Sequence, residues 1–227
     1  MGALSRGARP SATPRWARKG ARGVRVSGDG HDRDGAVGDG RDEDGEPMTT
    51  GTTEARPGWL EPDQLDDARD RVPMVYVEAV PVRVDHLGRI ERIGLLLRPQ
   101  PDGTISRAIV SGRVLLGETV REALWRHLTK DLGPDAEPQL PTGVAPFTVV
   151  EYFPDPERTG FHDPRQHAVA LCFVVPVDGT CAPSQDALEF SWLTPAEALG
   201  HGVVSELSAG HDRLVRRALA HCGTAAP

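Results

Sequence analysis

From Met74 onward, runs of Val, Ile and Leu alternate with short groups of turn residues, the pattern of a sheet laid down strand by strand. MVYVEAVPVRVD from Met74, RIERIGLLLRP from Arg89 and TISRAIVSGRVLL from Thr104 predict three strands, separated at Gly88 and at Asp102-Gly103. A different period follows. Val120, Leu124, Leu128 and Leu132 recur at every fourth position, which predicts a helix with one buried stripe. Thr119 and Glu122 have the spacing of a capping box, so the helix should begin at Val120. Gly133 can adopt the left-handed close and Pro134 cannot continue the helix. GVAPFTVVEYFPD from Gly143, HAVALCFVVPV from His167 and ALEFSWLTP from Ala187 predict three more strands, the last leading into a short helix at PAEAL. Two further helices are expected. One lies in WLEPDQLDDARDRVP, with Pro62 near its start and Leu60, Leu65, Ala68 and Val72 on one face. The other covers Ser205 to His221, with Leu207, Leu214, Val215, Ala218 and Leu219 on its buried side. Strands around one central helix, closed by a terminal helix, imply an α/β domain with a mixed sheet between helical layers.

Composition sets the domain limits. Of the 227 residues, 1–57 read as a separate arm and 58–224 as one domain. The first part of the arm is basic and acid-free, residues 29–46 are mostly Asp and Gly, and neither part has apolar periodicity. Disorder is the expectation for such a segment, and Met48 is an alternative start of translation. The longest apolar run, Ala168 to Val175, is far short of the roughly 18 residues that would span a membrane. Cys172, Cys181 and Cys222 show no paired metal-ligand spacing, which suits a reducing cytoplasm. A net charge of −7 speaks against nucleic acid as a partner.

The chemistry concentrates in GRVLLGETVREALWRHLTKDLG, Gly112 to Gly133. Its spacing resembles the Nudix box, G-x5-E-x7-R-E-U-x-E-E-x-G-U, where U is bulky and apolar. Gly112, Glu118, Arg126, Leu128 and Gly133 match, Asp131 stands for one acid, and Gly117 precedes the loop acid. His127 and Lys130 replace two glutamates. FSWLTPAEAL and FHDPRQHAVALCFVVP are similar to later segments of Nudix domains, so the resemblance to the Nudix hydrolase superfamily runs over residues 74–222. It implies a Nudix-like α/β/α sandwich with a mixed β-sheet. It also implies an activity: cleavage of a diphosphate that links a nucleoside to another group, with Mg or Mn as cofactor. By the same resemblance, Glu118 and Asp131 are the metal-binding acids and Arg126 orients them. His127 holds a base or ligand position, and Lys130, Arg113 and Arg165 are candidates for contacting the substrate.

The two replaced glutamates leave two readings open. A protonated lysine offers donors only and cannot ligate magnesium, so the charge of the cluster inverts. In the first reading the protein is a diphosphohydrolase with an altered metal site, supplemented by acids such as Asp155, Glu157 or Glu189 from neighbouring loops. In the second it is a non-catalytic nucleotide-binding or sensing domain that has lost the ion and takes no cofactor. Lys130 is one of only two lysines, the other being Lys19, and either replaces the ion beside Asp131 or is an ordinary surface residue. Glu122 is assigned to the capping box and to an ion pair with Arg126. His162, Asp163, Arg165 and His167 form a polar turn that could bind metal or phosphate, or be merely solvated. A homodimer is left open, and base and sugar identity would be read by loops outside the box.

Overall fold

The computed structural model describes residues 58–100, 103–183 and 187–224. The arm expected over residues 1–57 lies outside them. In chain order the elements are α1 (Pro62–Arg71), β1 (Met74–Val84), β2 (Ile90–Pro99), β3 (Ile105–Ala108), β4 (Val110–Arg113) and α2 (Val120–Leu132). They continue with β5 (Thr148–Tyr152), β6 (Ala168–Pro176), β7 (Glu189–Leu193), α3 (Pro195–Ala198), α4 (His201–Glu206) and α5 (His211–His221). The seven strands form one mixed sheet, in which β1 runs parallel to β6 and antiparallel to β2 and β4.

The pairing of β1 opens the cleft. On its edge away from β6, Tyr76 to Ala79 pair with β4 while Val82 to Val84 pair with β2. The far end of β2 pairs instead with β3, at Leu96 to Pro99. β1 and β2 therefore diverge, and Ile109 links β3 to β4 across the gap. The segment from Thr104, expected as one strand, is two strands for this reason.

Two apolar layers close the sandwich. On one face Leu124, Leu128 and Leu132 of α2 pack on Val77, Ala79, Phe173 and Val175. On the other, Leu214, Val215, Ala218 and Leu219 of α5 cover Val80, Val82 and Ala170. Each Leu side chain so buried contributes about 1.5–3 kcal/mol. This is the expected α/β/α sandwich with a mixed sheet.

Three local readings are corrected. The terminal helix is broken into α4 and α5, because Ala209 and Gly210 take positive φ values of 58° and 85°. Val72, expected on the buried face of α1, is exposed, while Leu65 and Ala68 do pack on the core. Gly133 ends α2 at φ 92° and ψ 164° rather than in the left-handed helical region, a conformation still confined to glycine.

Candidate functional site

The N-terminus of α2 is fixed as its sequence demands. Thr119 Oγ1 accepts from the Glu122 amide at 3.2 Å, and Glu122 Oε2 accepts from the Thr119 amide at 2.8 Å. Glu122 is committed there, so the expected ion pair with Arg126 is replaced. Arg126 instead donates Nε to Glu118 Oε1 and Nη2 to Glu118 Oε2, both at 2.7 Å. Glu118 also accepts the Leu115 amide at 3.0 Å. The Arg126 bonds hold its carboxyl below the usual glutamate range. Arg126 Nη2 reaches the Arg113 carbonyl at 2.9 Å as well, tying α2 to β4.

His127 lies flat against Gly112, where any side chain would collide with its ring. Its Nε2 lies 3.0 Å from the Arg113 carbonyl, which assigns the proton to that nitrogen. Burial lowers its pKa, so the ring is neutral at pH 7. Asp131, one turn further on, is buried and forms an ion pair with Arg98 of β2 at 2.5 Å. Asp131 thus holds a cation from the sheet, Arg98.

A cleft of about 960 Å³ lies in the opening between β1 and β2. Gly112, Arg113, Arg126, His127, Lys130 and Arg165 reach its wall. Glu118 and Asp131 do not; each lies behind a guanidinium, Arg126 and Arg98, that does. Gly117 shapes the loop from outside the wall at φ 80°, and Leu128 and Gly133 serve the scaffold. Arg165 forks onto Asp163 at 2.9 and 3.0 Å, and Gln166 Nε2 donates to Asp163 at 2.7 Å and to the Tyr76 hydroxyl at 2.9 Å. The polar turn divides: His162 reaches the cleft, while His167 stacks on Phe153 and sits 3.5 Å from Glu151. Asp155, Glu157 and Glu189 are not on the wall.

Sequence reading missed the floor. Glu78 of β1 is buried there, accepting the Ser111 hydroxyl at 2.8 Å, with His211 Nε2 3.6 Å away. Burial pushes the Glu78 carboxyl up to about 8 and His211 down to about 4, so both are neutral at pH 7 and form no ion pair. An acid inside the apolar run of β1 was the available signal for Glu78. Arg98 ends an ordinary strand and gave none.

Divalent metal fits this arrangement poorly. Magnesium needs several oxygen ligands converging on one point. Among the described residues no group of three His, Cys, Asp or Glu side chains is placed to hold an ion. The two acids of the box are spent on arginines, and Lys130 adds positive charge. Nor is any helix among them long and apolar enough to cross a membrane.

With this geometry in view, the relatives can be placed. A family described as a domain of unknown function, DUF4916, matches residues 55–224. A protein from Jonesia denitrificans, described as a possible asymmetric diadenosine tetraphosphate hydrolase, is 52% identical. The likeness covers 67% of this chain and 96% of that one, with a TM-score of 0.66. More distant likenesses include a Nudix hydrolase from Nitrosomonas europaea, at 15% identity over 69% of this chain and 93% of that one, TM-score 0.49. An Ap4A hydrolase from C. elegans is 14% identical over 66% of this chain and 98% of that one, also with TM-score 0.49. No curated protein matches the sequence. The chain belongs to the DUF4916 family, and its box and sandwich resemble those of Nudix hydrolases.

Proposed function

We propose that the cleft binds a nucleoside diphosphate linked to a second group, the ligand class implied by the Nudix box. The observation that carries this reading is the charge of the wall. Among the described residues, Arg69, Arg98, Arg113, Arg126, Lys130 and Arg165 face two acids, Glu78 and Asp163, of which Glu78 is neutral at pH 7. Such a wall suits phosphate oxygens, and guanidinium groups bind them in pairs. Trp59, on the rim and 58% exposed, offers a flat apolar face to a nucleobase.

Hydrolysis of that diphosphate is supported by the 52% identical relative described as a possible Ap4A hydrolase. Binding without turnover is the second reading, favoured by the commitment of Glu118 and Asp131 to arginines. In either case Arg126 locks the loop before α2, and neutral His127 offers its second ring nitrogen as a proton acceptor. The test is a panel of diadenosine tetraphosphate, ADP-ribose and nucleotide sugars, each with magnesium, manganese or chelator, followed by calorimetry and product release. Turnover selects the hydrolase, saturable binding without product selects the second reading, and neither result overturns both.

A further inference from the structure

We propose that Arg98 is the resident cation of the cleft, contacting the ligand's phosphates where an intact box would place a metal, so that binding needs no divalent ion. This rests on the reading of the cleft as a diphosphate site and adds the source of its neutralising charge. Asp131 is buried on α2, and Arg98 reaches it from β2, across the opening between the two diverging strands. A buried carboxylate requires a partner, and removing one member of such a pair is strongly destabilising. The cation is therefore part of the folded scaffold and stays in place when no ligand is bound.

The guanidinium still has donors to give. It carries five N–H groups; Nε and Nη2 are buried, with Nη2 against Asp131, so a phosphate is met by the Nη1 edge. Its side chain is 20% exposed and reaches the cleft wall, whereas Asp131, 3% exposed, stays behind it. An entering phosphate meets the cation before the acid. Glu78 and His211, the buried titratable groups beside Arg98, do not oppose this, because both are neutral at pH 7. A magnesium ion, in contrast, would have to displace an arginine from Asp131 and settle beside Lys130.

The experiment titrates inorganic pyrophosphate and ADP into the full chain by calorimetry, once with chelator and once with magnesium. Affinities should agree within about threefold, since the charge-assisted donors belong to the protein. Arg98→Gln should weaken both ligands on the order of 10- to 100-fold in chelator, the range for losing hydrogen bonds from a charged group. Because that variant strands Asp131, Arg98→Gln with Asp131→Asn, which removes both charges, must show the same loss. Binding that requires magnesium overturns the role of Arg98 and leaves the diphosphate reading standing. Retained affinity in the folded double variant also overturns it, and absence of binding by the parent under both conditions overturns both proposals.

Discussion

The three glycines of the box separate two costs that one substitution would mix. At Gly117, φ is 80° and an added Cβ meets nothing within 4 Å, so Gly117→Ala should lose only the left-handed backbone penalty, about 1–2 kcal/mol. Gly112 carries no such φ, but a Cβ there would enter the His127 ring. The ring must then rotate away from the Arg113 carbonyl, an overpacking cost of about 1–3 kcal/mol. Gly133 combines the two. Its φ is 92°, and its Cβ would lie 2.5 Å from the Ala182 carbonyl oxygen. Ala182 is a poor candidate for moving aside, since its amide donates to Leu132 at 2.8 Å. Strain and clash together should make Gly133→Ala the most damaging, by roughly 3–5 kcal/mol. Urea unfolding followed by tryptophan fluorescence measures the series. With a slope of about 1–3 kcal/mol per molar, the Gly133→Ala midpoint should drop by about 1 M or more. A Gly133→Ala midpoint no lower than that of Gly117→Ala would refute the packing of the α2 terminus against Ala182.

Thr119→Ala should cost about 1 kcal/mol through loss of the α2 cap, and an unchanged urea midpoint would contradict the capping box. Glu78→Gln should flatten the stability profile at mildly alkaline pH. Glu78 is raised from 4.5 to about 8, so native stability falls as pH rises through that window, whereas His211, lowered from 6.5 to about 4, weakens the fold only as pH falls through its own; between about 6.5 and 8 the parent should lose roughly 2 kcal/mol that the variant keeps. His127→Glu with Lys130→Glu should raise magnesium affinity, and adding Arg98→Gln should raise it further by releasing Asp131; calorimetric titration that shows no gain in either would count against the assigned box geometry. Starting the chain at Met48 should leave the melting temperature unchanged, because the segment before it has no apolar periodicity and the family match begins at residue 55; a drop of several degrees would show that the segment packs on the domain.

Local chemistry made much of the fold legible. The Thr119–Glu122 cap and the fourfold spacing of Val120 to Leu132 are codes carried by neighbouring residues, and α2 begins and ends where they place it. The strands were legible as apolar runs, but their partners were not. Nothing in ISRAIVSGR says that Ile109 must turn the chain from one partner strand to another, because that break is imposed by the divergence of β1 and β2. The interruption at Ala209 and Gly210 was missed for a related reason: Leu207 and the buried side of α5 (Leu214, Val215, Ala218 and Leu219) read as one apolar stripe, and only the left-handed pair between them breaks the helix.

The site divides along the same line. Glu118 and Arg126 were recognisable through their likeness to the Nudix box, which implies that the arginine orients the acids, and they meet through two 2.7 Å bonds. Asp131 was recognisable as an acid, with Lys130 beside it as a candidate partner, but its pairing with Arg98 was not, since that residue comes from β2, 33 positions earlier. That pairing changes what the substitutions at positions 127 and 130 mean. With a metal in the cluster, neutral His127 and cationic Lys130 would each weaken the site. Beside an Arg98–Asp131 pair they are consistent, because a further carboxylate there would compete with the ligand for the same guanidinium. The overall charge of −7 does not oppose an anionic ligand at this place, since exposed charges beyond about 8 Å are largely screened at physiological salt. What the ligand meets is the wall itself, and there the cations outnumber the ionised acids.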